Sequence, residues 1–127
     1  MSFLDSYAPQ IKALLRIMTG LLFFGVGLAK IAHFPNVTMF AEVKPFVGLV
    51  GWAGMIELIT GPLIILGFYS RIAAFIASGE MAVAYFTGHF PRSIFPTQNG
   101  GDAAILFCFL FLYLAAAGPG SYAVNDK

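Results

Sequence analysis

The sequence predicts an all-α membrane protein, a bundle of four transmembrane helices. Three observations carry this. Of 127 residues, 59% are hydrophobic and only 10% are charged, against about 45–50% and about 25% in soluble domains. The mean hydropathy is +0.85. The apolar residues fall into four stretches separated by turn-forming residues, and a soluble chain this short has no polar shell in which to bury four of them. The same figures exclude other classes. Disorder requires low hydrophobicity and high net charge. Seven basic against six acidic residues, a net charge of +1, leave no basic excess for a nucleic acid. A lone cysteine, Cys108, cannot staple a disulfide scaffold.

The first span runs from about Ile11 to Ala32 and ends at His33-Phe34-Pro35-Asn36, because proline and the residue before it resist helix. A cleaved signal peptide fits this stretch poorly, since it is long, carries Arg16 and lacks a small-x-small cleavage site. The second span runs from about Phe46 to Phe68 and the third from about Arg71 to Phe90, joined by the tight turn Gly67-Phe68-Tyr69-Ser70. These three have the roughly 20 residues that cross a bilayer core. Gln98-Asn99-Gly100-Gly101 forms a turn with Asp102 as the expected N-cap of a shorter fourth span, Asp102 to Ala117, which Gly118-Pro119-Gly120 stops. In the first loop Phe40, Val43 and Phe46, around Lys44-Pro45, suit a membrane surface. No second domain or internal repeat interrupts residues 1–127, which read as a single membrane domain. An even number of spans puts both termini on one side with Lys12, Arg16, Arg71 and Lys127, against Lys30, Lys44 and Arg92 on the other, and the positive-inside rule makes the terminal side cytoplasmic.

Charge inside such spans costs a few kcal/mol per residue at about the bilayer centre. Arg16, Glu57 and Glu80 stand out for that reason. Each shares a helix face with small residues: Arg16 with Gly20 and Gly27; Glu57 with Gly54 and Gly61; Glu80 with Ala73, Ala77, Ala84 and Gly88. Small residues at spacings of three and four let membrane helices approach closely. At ~1.5 Å per residue, Glu80 lies about 14 Å in from Arg71, Glu57 about 16 Å in from Phe68, and Arg16 about 7–8 Å in from its helix start. The glutamates are therefore level, and the expectation is that Arg16 reaches up to them. One arginine against two carboxylates leaves a charge that low dielectric disfavours, so one glutamate is expected to hold a proton. The cluster is either a polar clasp that fixes helix register or a site for protons or a ligand. Pro62 cannot donate to the Leu58 carbonyl and so leaves a free acceptor beside Glu57.

A second group is expected at the opposite membrane face: Lys30 and His33, His89 and Arg92, and Asp102. Its spacing carries no metal signature, and contact with lipid headgroups or with a polar ligand head such as that of a quinone fits better. Phe107, Phe109, Phe111 and Tyr113 surround the fourth span, either as lipid-facing residues or as walls for a flat ring. Cys-x-x-Cys, Gly-x-Gly-x-x-Gly and phosphate-loop motifs do not occur.

Leu15-Arg16-Ile17 with Thr19-Gly20, Lys30 before Phe34-Pro35, Ile56-Glu57-Leu58 with Gly61 and Pro62, and Gly67 with Arg71 form a pattern. It continues through 78–86 (Ser78 to Phe86), His89-Phe90-Pro91, Phe95-Pro96, Asn99-Gly100-Gly101 and Gly118-Pro119-Gly120. Together these resemble the DoxX family of small four-helix bacterial membrane proteins over nearly the whole length. Many similar members carry Glu-His-Gly before the lysine of the first span, where this chain has Gly25-Val26-Gly27, so a function needing that Glu or His does not carry over. The resemblance implies a multi-pass protein of the bacterial inner membrane, described as an oxidoreductase or quinone-linked subunit, a name shared with proteins tied to thiosulfate:quinone oxidoreductases.

Three functional readings follow. In the first, a redox-associated membrane subunit binds a quinone, with Glu57 or Glu80 moving protons, Arg16 tuning them, and Lys30, His89 and Asp102 contacting the ligand. Electrons would then need a bound or partner-supplied centre, since no haem or flavin motif is present. In the second, the chain is a non-catalytic accessory or assembly subunit of a larger membrane complex. A small transporter, working as a homo-oligomer, is a third possibility. Saturable quinone binding lost on replacing either glutamate separates the first from the second.

Overall fold

The structure, a computed structural model, describes residues 2–127. Among these residues there are helices and no strands. A short helix α1 (Ser2–Asp5) precedes α2 (Ala8–Ile31), and then come α3 (Gly48–Leu66), α4 (Ser70–Gly88), the short α5 (Pro96–Asn99) and α6 (Asp102–Ala117). The long helices begin and end close to where turn chemistry places them. α2 and α3 are long and apolar enough to cross a membrane. α4 has 19 residues and α6 has 16, lengths of about 28 and about 24 Å.

One detail of the helix starts differs from expectation. Gly101, and not Asp102, stands at the N-cap of α6, and no side chain caps it. Asp102 is exposed in the first turn. The Asn99 Oδ1 accepts instead from the Gly101 amide at 2.8 Å, so the preceding turn already satisfies a donor there.

α2 packs along α3 and α4 along α6, α3 and α4 meet more loosely, and α2 barely touches α6. Glycine sets the α2–α3 register. A Cβ on Gly27 would stand 2.9 Å from the Glu57 Cβ, one on Gly61 2.9 Å from the Phe24 Cβ, and one on Gly20 2.9 Å from Ile65 Cγ1. These are backbone-close contacts of the kind small residues permit between membrane helices. α4 gives α6 a face of Ala73, Ala74, Ala77 and Met81, and Ser78 Oγ donates across that face to the Cys108 carbonyl at 2.7 Å. Gly88, expected on the packing face, meets nothing within 4 Å. The aromatics of α6 divide. Phe107 and Phe111 turn inward onto Phe23, whose ring lies 5.6 Å and 4.7 Å from theirs, whereas Phe109 and Tyr113 are exposed.

The α2–α3 register also decides where Arg16 lies. With Gly20 opposite Ile65, Arg16 falls level with the α3–α4 turn, not with Glu57. The expected reach of Arg16 to the glutamates is therefore corrected. Its guanidinium is fully buried among carbonyls: Nη1 donates to Pro119 (2.6 Å) and Ser121 (3.0 Å), and Nη2 donates to Tyr122 (3.0 Å) and Ile65 (3.3 Å). The residues after α6 thus fold back under the bundle. The Val124 and Asn125 amides donate to the Leu66 and Gly67 carbonyls, and Lys12 Nζ donates to the Ala117 carbonyl at 2.9 Å. Arg71 donates to the carbonyls of Ala116 (2.9 Å) and Asp126 (2.8 Å). At Gly67, φ is +69° and a Cβ would stand 2.8 Å from the Ala123 Cα, so both the turn and the seat of the tail require glycine.

Candidate functional site

The same register that removes Arg16 from the glutamates brings Lys30 to them. A Cβ on Gly54 would lie 3.1 Å from the Lys30 Cβ, and Glu57 is one helical turn further along that face. Lys30 Nζ donates to Glu57 Oε2 at 2.7 Å, with the Lys30 side chain 9% exposed and that of Glu57 fully buried. The Phe40 ring lies against the other side of the ammonium, 5.6 Å from Nζ to centroid, a cation–π contact that strengthens when desolvated. Lys30 was expected among headgroups. Its four-carbon stem instead turns the ammonium inward to the buried Glu57, the reverse of the snorkelling by which long cationic side chains reach water.

Glu80 comes from α4 to the same place. Its carboxyl is a near neighbour of that of Glu57. Glu57 Oε1 and both Glu80 oxygens are buried and meet no protein donor. The site therefore holds one cation, two carboxyl groups and three oxygens without a donor. Sequence reasoning placed Lys30 among the ligand contacts at the opposite membrane face and missed it as the partner of the acids. Its signal was present: Gly20, Gly27 and Lys30 share one stripe of α2, and Gly27 is where α3 comes nearest.

Lys30 and Glu80 stand on the wall of a cavity of about 610 Å³ in this half of the bundle. α2 contributes Phe23 and Val26, α6 contributes Ala104 and Phe107, and the first loop closes over it with Met39, Phe40 and Val43. Phe40 and Val43 thus line the cavity rather than only lying at a surface, while Phe46 packs edge-on against Trp52 at 4.8 Å. Val26 adds to the apolar part of the wall.

His89 and Arg92 are at the rim of this cavity. The His89 Nδ1 lies 3.1 Å from the Asn99 carbonyl, so Nδ1 carries a hydrogen and donates there. Asn99 is buried and ties the loop together, its Nδ2 donating to the Tyr85 hydroxyl at 3.0 Å and to the Ser93 carbonyl at 2.9 Å. Of the residues expected to act together, the structure joins Glu57, Glu80 and Lys30, with His89 further along the same cavity. Asp102 is outside the cavity lining, and Arg16 belongs to the tail.

Apolar helices around a charged centre, with large aliphatic and aromatic side chains turned outward, define the class of a small helical membrane protein. The DoxX family model matches residues 11–90, a segment that includes Lys30, Glu57, Glu80 and His89. An uncharacterized protein of Haemophilus influenzae is 38% identical over 130 residues, covering 100% of this chain and 97% of that protein. The chain belongs to the DoxX family. No solved structure matches it.

Proposed function

We propose that the protein is a four-span membrane subunit that binds a quinone-type ligand in the cavity and handles its protons through the Glu57–Glu80 pair. The observation that carries this reading is the position of Glu80, a donor-less carboxyl on the wall of a mostly apolar cavity, with Glu57 and Lys30 beside it and His89 and Arg92 further along. Ligand sites have this composition, an apolar lining with a few convergent polar groups. Lys30 balances one negative charge. The second carboxyl is neutral when a single proton sits between Glu57 and Glu80, in the manner of carboxyl pairs that titrate together. When a quinol becomes a quinone it gives up two protons and two electrons. The carboxyl pair is placed to accept one of these protons, the second passes to water at the cavity mouth, and a two-electron acceptor on a partner protein takes the electrons.

In this reading all four long helices cross the bacterial inner membrane and residues 1–127 form one domain. The outward faces of α4 and α6, with Ile72, Phe75, Val83, Leu106 and Phe109 exposed, suit lipid. Lys12, Arg16, Arg71 and the tail lie together at one end, which the positive-inside rule makes cytoplasmic.

Trp52, the one tryptophan of the sequence, lines the cavity and serves as reporter. A decyl-tailed hydroquinone, kept reduced, is expected to quench its fluorescence saturably in the purified protein, and Glu80→Gln to abolish saturation while helicity is retained. Quenching that never saturates, or that Glu80→Gln leaves unchanged, contradicts a ligand site at Glu80.

A further inference from the structure

Two facing helical stripes bound the cavity on one side. α3 supplies Leu49, Trp52, Ala53 and Ile56, and α4 supplies Ile76, Gly79, Glu80 and Val83. Stripes at this spacing on adjacent antiparallel helices normally bury one another. Here they do not: Leu49 is 67% exposed, Trp52 55% and Val83 54%. A Cβ on Gly79 meets nothing within 4 Å. The helices are joined by the tight turn at Gly67, so they converge there and part toward the other end. The parting has apolar lips and leads inward to Glu80. At its inner end the wall carries Glu80, whose carboxyl oxygens are buried and without a donor, beside Lys30, whose ammonium is already held by Glu57. With one proton shared between Glu57 and Glu80, an acceptor on Glu80 remains.

We propose that the gap between α3 and α4 is a lateral portal by which a tailed, hydroxyl-headed amphiphile slides from the bilayer to Glu80, its head donating to the carboxylate and its tail lying between the lips. This deepens the ligand-binding reading above and rests on it for the occupant. It also fixes which form of the ligand the site takes first: the hydroxyl form, since a bare carbonyl head brings a further acceptor to a place already rich in acceptors.

The test places a thiol behind the portal and asks from which side it is reached. Ala84→Cys, on the cavity wall, is made with Cys108→Ser and reconstituted in vesicles; Glu80→Cys serves as a second reporter should the first not fold. A long-chain alkyl maleimide dissolved in the bilayer is expected to label either thiol at least about tenfold faster than a membrane-impermeant sulfonated maleimide, and adding Gly79→Phe is expected to slow that labelling by about tenfold. In the Ala84→Cys protein a decyl-tailed hydroquinone is expected to protect the thiol and its dimethyl ether is not. Labelling by the impermeant reagent as fast as by the alkyl one overturns the portal. So does indifference to Gly79→Phe, or no labelling of either folded variant. Equal protection by the ether overturns the hydroxyl head. Portal-dependent labelling without protection by either compound leaves the route standing and removes the quinone-type occupant, so the two failures are told apart.

Discussion

Lys30 is one ammonium between two acids and an aromatic ring, and its removal exposes how the site is balanced. Lys30→Met leaves Glu57 buried without a counter-ion, and breaking such a pair from one side costs about 3–5 kcal/mol. The expected result is a marked fall in the midpoint of thermal unfolding in detergent. Lys30→Met combined with Glu57→Gln restores most of that loss, because no uncompensated charge remains. If the double variant is as unstable as the single one, the pair is not the source of the cost. The composition made Glu57 and Glu80 conspicuous as charges amid apolar sequence, and both stand in the site. The choice of Arg16 as their partner failed because depth was counted from the helix ends alone. It ignored the register that Gly20, Gly27, Gly54 and Gly61 impose by contact, and that register puts Lys30 at the acids and Arg16 at the turn.

Helix α2 carries its glycines for two different reasons, and substitution separates them. Gly27 sits where a Cβ would meet the Glu57 Cβ at 2.9 Å and the Leu58 backbone nitrogen at 3.1 Å, while Gly25 meets nothing within 4 Å. Gly27→Ala forces α2 away from α3, with the about 1–3 kcal/mol cost of overpacking. Gly25→Ala is neutral or gains up to about 1 kcal/mol through helix propensity. Thermal unfolding of the two variants, side by side, checks this, and equal behaviour would mean that the α2–α3 contact is not glycine-limited. The helices themselves were legible in the sequence to within a few residues, since apolar runs and proline or glycine breaks are local signals. The open side of the α3–α4 pair was not. Leu49, Trp52 and Val83 look like core residues in sequence, and only the spatial parting of their helices leaves them uncovered.

The whole molecule has two polar layers with opposite tasks. At one end Arg16, Arg71 and Lys12 collect carbonyls from the tail and the end of α6. Toward the other end Lys30 meets the two acids beside the cavity. The first layer gathers backbone acceptors on both terminal nitrogens of Arg16 and closes the bundle, with only Arg16 Nε left without a partner; the second leaves carboxyl oxygens unsatisfied. Removing residues 119–127 takes three of the four carbonyls from Arg16, and hydrogen bonds to a buried charge are worth about 1.5–3 kcal/mol each. Truncation and Arg16→Met are each expected to lower the unfolding midpoint, and their combination to add little, because both remove one network. Full additivity would show that the tail and Arg16 act separately. The tail was illegible because main-chain carbonyls carry no residue signature: nothing in Pro119, Ser121 or Tyr122 as side chains announces a guanidinium site.

The central claim is that a proton resides between Glu57 and Glu80 while Lys30 balances the remaining charge. The infrared spectrum of the folded protein at neutral pH tests it most directly. The account predicts a protonated carboxyl band that disappears in Glu80→Gln with helicity unchanged. A folded protein with no such band, both glutamates being ionised, would contradict it.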